Sequence, residues 1–514
     1  MRLIITASML LWISLTTSAQ AQGLNIVSEV SYPTAGKPFQ ALVSNSGNVF
    51  VSVTANYDTG SPAGVQVFVP ASGGGLQSPS NCLNALPLNI TLGVKNLSFF
   101  PDATNLAAGI GSGAIFYHVT DLLGCNGSGY IVDQGSIPAS DAGTLAVVVT
   151  PDGNFAFVSN EYGLAPNATL AQGVTLEQKI PGTNPPIFVS MGVGDLTGNI
   201  GVVAIQHDIS GNFTTGTRLV GQISTGGKAI AGMLLSPDGT RLYVTSEISR
   251  IAATSTTQPA GGNSAVLTKS NCVGAVDSPP DNNGLLTVID VARAVASPQD
   301  PRSILSTVNA GCSPVRMSES KDGRTLWVAA RGDNRVLAFD TAKLESDPNN
   351  ALLGYADTGG TAPVGIKLFH NDKWLAVANS NRFANPPQGN ATILDVATIL
   401  ASPGDDSVMH RINTGYFPRE ITVGADDATL YITNFASNQF QVIKVLAADG
   451  DLNGDGVVDV GDVFLAERIA MGLLVPTTEQ LIRGDVSPLG NPDGMIDIAD
   501  VSRIQMKALG LASF

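Results

Sequence analysis

The stretch that decides the fold is Leu235-Ser236-Pro237-Asp238-Gly239-Thr240-Arg241-Leu242-Tyr243-Val244-Thr245-Ser246-Glu247. An apolar residue leads into a tight Pro-Asp-Gly turn, and an alternating run ending in small polar residues leads out. That is the signature of a β-hairpin. The phrase recurs around Val149-Thr150-Pro151-Asp152-Gly153 and around Ser320-Lys321-Asp322-Gly323. Weaker copies stand at Ser44-Asn45-Ser46-Gly47, Phe100-Pro101-Asp102, His370-Asn371-Asp372 and Gly424-Ala425-Asp426, which makes seven.

A further apolar strand follows each copy and often ends in Asp, as in Leu286-Thr287-Val288-Ile289-Asp290, Val336-Leu337-Ala338-Phe339-Asp340 and Ile393-Leu394-Asp395. The copies lie roughly 50 residues apart, or about 85 where an insertion intervenes, which is the period of four-stranded blades arranged around an axis. The spacing predicts an all-β chain, a seven-bladed β-propeller over residues 22–446. Blade seven supplies three strands before an acidic loop begins, and Leu24-Asn25-Ile26-Val27-Ser28-Glu29-Val30 has the alternation to provide the fourth. Pairing there removes two open edges and closes the ring.

Composition agrees. Charged residues are 13% of the chain and glycines number 56, which suits turn-rich β structure. A formal net charge of −15 speaks against nucleic acid as the partner. Met1-Arg2, the apolar run from Leu3 to Leu15 and Ala19-Gln20-Ala21 together read as a secretory signal peptide over residues 1–21. Export to the extracellular space, the cell surface or the periplasm follows, and no transmembrane helix is expected. Four cysteines in an exported chain imply disulfides. Blade geometry puts Cys82 and Cys125 on one side of adjacent blades, and Cys272 and Cys312 in loops around blade four, so the expected pairs are Cys82–Cys125 and Cys272–Cys312.

Long insertions at Tyr162 to Thr197, Ile248 to Asn283 and Phe383 to Asn390 all fall between the second and third strands of a blade, loading one face with loops. That face is where binding is expected. The repeated Ser-Pro-Asp-Gly-x-x-Leu-Tyr-Val pattern, with Arg331-Gly332-Asp333-Asn334-Arg335-Val336 after a strand, resembles the lactonase-like or YVTN-type propellers over residues 24 to 446. The resemblance implies architecture above all, because such propellers include lactone hydrolases, lactonising enzymes and binding proteins. Arg331 sits where related lactonases carry an arginine.

Four histidines, at 118, 207, 370 and 410, are scattered, and no zinc-protease motif, nucleophile elbow or phosphate loop is present. A better constellation is Glu161, Glu247, Arg331 and Arg382 at the ends of second strands, with Arg316 and Arg419 on the innermost strands of blades five and seven. Paired with each other, these residues are salt links across blade tops. Left open, the arginines hold an anionic or carbonyl-bearing ligand while a glutamate acts as base.

The most specific chemistry follows the propeller. Asp451, Asn453, Asp455, Asp459 and Asp462 occupy loop positions 1, 3, 5, 9 and 12 of a calcium loop, with Gly456 at the sharp turn and Val457 offering its carbonyl. A second copy keeps Asp493, Met495, Asp497 and Asp500, but four extra residues separate that half from Asp485. Either Asp485 loops back to serve as position 1, or the second site binds weakly. Each loop runs into an apolar-faced stretch, Val463 to Met471 and Val501 to Gly510. Two such loops, each with an exiting helix and Asp at position 12, resemble a type I dockerin over residues 449–511. The resemblance implies a small α-helical module with Ca2+ as cofactor and a cohesin-like protein or surface scaffold as partner, touched through Val460-Gly461 and Ile498-Ala499. The sequence thus reads as a secreted propeller that binds or displays something on its loop-rich face, held to a surface or complex by its tail, with a small anionic or carbohydrate ligand as one candidate. The alternative is a propeller lactonase or other carbohydrate-active hydrolase of polysaccharide breakdown, with its site at the channel mouth.

Overall fold

The computed structural model describes residues 24–54, 63–79, 82–86, 93–111, 113–133, 144–160, 176–179, 188–191, 198–249, 263–264, 284–489 and 492–514. Two compact units divide the chain: a propeller unit, Ser28–Val445, and a second unit that contains Leu446–Phe514.

The quoted phrase forms the hairpin between Gly227–Leu235 and Arg241–Ser249. Its turn is locked by polar groups. Ser236 Oγ donates to Asp238 at 2.5 Å, Asp238 accepts the Thr240 N–H at 3.0 Å, and the Gly239 N–H returns to the Ser236 carbonyl at 2.8 Å. The Ser236 hydroxyl, and after it the Thr240 N–H, holds the Asp238 carboxyl below its ordinary range. Thr150 with Asp152 and Ser320 with Asp322 repeat the same hydroxyl-to-carboxylate contact at 2.5 and 2.6 Å. Gly153, Gly239 and Gly323 repeat the same left-handed backbone, at φ +70°, +69° and +69°. The weaker copies reach the turn otherwise: Ala103 and Asp427 take the left-handed position, and in blade six His370, Asn371 and Asp372 all do.

All seven hairpins open into sheets of antiparallel strands, giving seven blades, and the fourth sheet also takes Asn263–Ser264 parallel to Ile304–Asn309. Their inner strands are Lys37–Val43, Val94–Phe99, Val147–Val149, Gly227–Leu235, Pro314–Glu319, Pro363–Phe369 and Pro418–Val423. The seventh sheet lacks a fourth strand of its own and takes Leu24–Pro33 beside Gln439–Ala447, as expected. Gln441 Nε2 donates to Glu29 at 2.9 Å, and the Thr34 N–H to the Asn438 carbonyl at 2.8 Å. Trp327, Trp374, Phe50, Phe157, Phe369 and Phe440 are fully buried between sheets.

Cys82 and Cys125 form a disulfide with Cα atoms 5.4 Å apart, joining blades one and two. Cys312 is also disulfide-bonded, while Cys272, its expected partner, lies outside the described residues. So do residues 1–23, which hold the signal-peptide reading, and much of the two longest insertions. Within the first insertion Leu176–Lys179 pairs with Phe188–Met191. The third insertion is shorter than expected, since its strand starts at Gln388. No helix among the described residues is long and apolar enough to cross a membrane.

The tail folds around Leu452, Val463, Ala466, Ile469, Val486, Ile496, Val501 and Ile504. Its helices are Val460–Ala470 and Ile498–Ala508, with an unforeseen one, Thr478–Gly484, between them.

Gly239 generates the first prediction. A Cβ there would meet Pro151 Cγ at 2.1 Å, on backbone that L-residues adopt at a cost of about 1–2 kcal/mol. Gly211 is equally left-handed, but a Cβ there meets nothing within 4 Å. In urea denaturation Gly239→Ala is expected to lose clearly more stability than Gly211→Ala.

Candidate functional site

Inner strands converge on the propeller axis, and six of the seven carry a register shift near their start, among them Pro314/Met317, Pro363/Ile366 and Pro418/Ile421. A bulge re-aims the side chains it contains. In blades five, six and seven the strand is entered through a left-handed residue, Ser313, Ala362 or Phe417, followed by a proline that has no N–H to donate. The residues thus displaced are Val315-Arg316, Val364-Gly365 and Arg419-Glu420.

The Arg316 Nε donates to Glu420 at 2.7 Å, and its Nη1 donates to the Ala231 carbonyl, so one side chain ties together blades four, five and seven. Gly365 is the matching residue of blade six, and a Cβ there would fall 2.8 Å from Glu420 Cα. Only glycine lets blade seven approach this closely. Above this pair, Arg331 Nη2 donates to Glu247 at 2.5 Å, linking blades five and four. Arg331 opens a 3-10 turn, Arg331–Asp333, whose Asp333 accepts the Cys312 N–H at 2.7 Å.

Arg419 is held by aromatic rings. Its guanidinium lies 3.8 Å from the Phe39 centroid, 5.3 Å from that of Phe435 and 5.4 Å from that of Phe417. Its Nε is buried with no hydrogen-bond acceptor among the described residues. Burial, and after it the guanidiniums of Arg316 and Arg382, hold this group well below the usual arginine range, with Glu420 opposing. Arg382 stands 5.2 Å from the Phe383 ring and 5.8 Å from that of Phe417. Lys367, on the inner strand of blade six, is pushed below its ordinary range by burial, against which the Glu420 carboxylate acts.

Of the residues expected at the mouth, Glu247, Arg316, Arg331, Arg382 and Arg419 are all on the inner strands of blades five and seven or at the rim around them. Glu161 lies outside the described residues. Phe39, Phe417, Phe435 and Lys367 went unrecognised in the sequence, although Phe417-Pro418-Arg419, a ring beside an inner-strand arginine, was there to be read. The two described glutamates there, Glu247 and Glu420, are engaged by arginine, and neither stands open as a base. The histidines stay structural: His118 meets Asn105 at 2.6 Å and stacks on Phe213, His207 packs on the same ring, and His370 meets the Val445 carbonyl at 2.8 Å. His410 lies on the outer strand Val408–Tyr416.

The tail loops are tightly wound. Asp451 accepts the N–H groups of Gly454, Asp455 and Gly456 at 2.8–3.2 Å, and Asp462 accepts those of Asn453 and Asp459 at 3.0 and 2.9 Å. In the second loop Asp485 accepts the N–H groups of Asp493 and Gly494, and Asp500 those of Val486, Ser487 and Asp497. Asp485 therefore stands to Gly494 as Asp451 stands to Gly456. Burial pushes the carboxyls of Asp462, Asp485 and Asp500 above their usual range. Among the described residues no three His, Cys, Asp or Glu side chains are gathered as a metal cage. The donors that the loops carry are nevertheless all oxygens, the set a hard cation takes. Arg483, from the unforeseen helix, donates to Asp449 at 3.0 Å and to Asp451 at 2.7 Å.

No protein-family model matches the sequence, and no curated protein does. Among solved structures the chain aligns with hydrazine synthase of Kuenenia stuttgartiensis at 16% identity, over 81% of this chain and 97% of that one, with a TM-score of 0.48. It aligns with a periplasmic gluconolactonase of Pseudomonas aeruginosa at 17% identity, over 77% of this chain and 91% of that one, also with a TM-score of 0.48. Similarity at this level does not bear on activity.

Burial decides which ion pairs matter. The exposed Arg335–Asp357 pair is worth at most about 1 kcal/mol, whereas removing one partner of a buried pair costs about 3–5 kcal/mol. The side chains of Arg316 and Glu420 are only 11% and 7% exposed. Arg316→Met is therefore expected to destabilise the propeller by a few kcal/mol in chemical denaturation, and Arg316→Met with Glu420→Met to recover much of that loss. Loss in the double variant equal to the sum of the two single losses would disprove the coupling.

Proposed function

We propose that the propeller is a binding module for a small organic anion at the mouth of its channel, displayed through a calcium-loaded tail that docks on a partner protein. The observation that carries this reading is Arg419, stacked on Phe39 with its Nε lacking an acceptor among the described residues, beside a second guanidinium and exposed Phe383. Cation and ring together suit a carboxylate attached to an apolar or sugar ring: the guanidinium meets the charge, the exposed Phe383 ring the body of the ligand. The hydrolase reading asks for a free carboxylate base, and Glu247 is committed to Arg331.

In the tail, Asp451, Asn453, Asp455, Asp459 and Asp462 with the Val457 carbonyl would hold one ion, and Asp485, Asp493, Asp497 and Asp500 with the Met495 carbonyl a second. Val460 and Ile498, at the docking positions that a dockerin would use, are 78% and 73% exposed. Export and attachment to a cohesin-like or scaffold partner complete this reading.

Calorimetry with benzoate and glucuronate tests the mouth. A hydrogen bond to a charged group contributes about 1.5–3 kcal/mol, so Arg419→Gln should weaken binding by about ten- to a hundredfold. Silence with every carboxylate would sink the proposal, as would lactone turnover abolished by Glu247→Gln in a folded protein. Calcium titration of metal-free protein should show binding that Asp451→Ala and Asp462→Ala weaken at least as much as the about 10–100-fold that loss of an outer-shell partner costs. Heat signals identical in wild type and variants would remove the calcium reading.

A further inference from the structure

We infer that the channel accommodates an extended dianion, one carboxylate meeting Arg419 at the mouth and the other meeting Lys367 deeper along the axis. The inference rests on the anion-binding reading above and names the class of anion.

Strand register sets the geometry. Pro418 and Pro363 face Asn434 and Asn379 across equivalent hairpins, and Ile421 and Ile366 face Ile432 and Val377 beyond equivalent bulges. Arg419 is thus equivalent to Val364, and Lys367 lies three residues further along the neighbouring inner strand, on the order of 10 Å at about 3.3 Å per residue. Between these two levels lies the Arg316–Glu420 pair, whose charges cancel. Neither Lys367 nor Arg419 has an ion pair or hydrogen bond of its own among the described residues, while each is partly buried.

Two half-buried cations of one sign, separated by a neutral pair, are unfavourable for an empty channel. Taking charge out of water is costly unless it is matched, and attraction to a counter-charge is stronger there than in bulk water. An anion with one charge can match only one of the two. A ligand bearing a carboxylate at each end matches both, and the half-buried rings of Phe417 and Phe435 flank Arg419 where it enters. Lys367 is flexible and compact in charge, so it serves as a point contact, whereas the Arg419 fork can take a carboxylate side-on.

The test is calorimetry with dicarboxylates from succinate to suberate, each compared with a monocarboxylate of the same chain length. Wild type is expected to favour one of the longer dicarboxylates over its monocarboxylate by about ten- to a hundredfold, the gain of one charged hydrogen bond. Lys367→Gln should abolish that ratio, Lys367→Arg should keep most of it, and Arg419→Gln should weaken both classes. Since Lys367→Gln removes an unmatched cation, its thermal midpoint should not fall below that of wild type, which verifies the fold. Equal affinity for both classes in wild type, or a ratio that survives Lys367→Gln, overturns this inference and leaves the anion-binding reading standing. Failure of every mono- and dicarboxylate to bind overturns both.

Discussion

Seven inner strands can share one axis only if each backbone approaches the next more closely than ordinary sheet packing allows. The propeller meets this constraint with bulged strands, small residues and, where blades one, four and seven meet their neighbours, a hydroxyl. Ser52, Thr245 and Thr433, on second strands, donate to the carbonyls of Lys95, Val315 and Phe39 on the inner strand of the following blade. Ser52 and Thr433 also accept a bulge N–H from their own blade, Gln40 at 3.0 Å and Glu420 at 3.1 Å. Gly232 and Gly365 supply the clearance, since a Cβ on either would strike backbone of the neighbouring blade. What satisfies the backbone at these crossings also turns the bulge residues toward the axis. The ring's closure and the character of its channel therefore have one cause.

That cause explains the electrostatics of the mouth. Residues delivered by bulges are crowded, and whichever of them are charged must pair, stack or remain unmatched. Arg316 and Glu420 pair, as do Arg331 and Glu247; Arg419 stacks. Lys367 does neither. The mouth divides into a neutral framework, which joins blades four, five and seven, and a cationic remainder with aromatic walls. The proposed binding draws on the remainder, and the rigidity of the mouth follows from the framework.

The tail solves a smaller version of the same problem. A short chain that cannot bury much apolar surface winds its backbone around carboxylates instead, and the repeat is carried by Asp451 with Asp462 and by Asp485 with Asp500. Exposed apolar residues repeat with it: Val457 with Met495, Val460 with Ile498, Met471 with Leu509 and Leu473 with Leu511. The four extra residues of the second loop do not displace Asp485, because its contacts are to backbone N–H groups that lie beyond the insertion.

Sequence by itself determined the number of blades, their hairpins, the closing strand and the Cys82–Cys125 bridge. Each depends on local turn chemistry or on strand count, and a Pro-Asp-Gly turn needs no distant residue to form. It also assigned Glu161, Glu247, Arg331 and Arg382 to the ends of second strands, because alternation fixes where a strand ends, and Arg316 and Arg419 to innermost strands. Only the tertiary structure decided which of them pair. Arg316 and Glu420 are 104 residues apart in the chain and meet because a bulge in each strand and a glycine between them bring two blades together. The rings around Arg419 come from three separate segments, two of them in blade seven, and the helix that carries Arg483 was missed although Thr477 and Gln480 spell its capping box. Contacts of that kind are properties of how the blades and helices pack, and no local pattern encodes them.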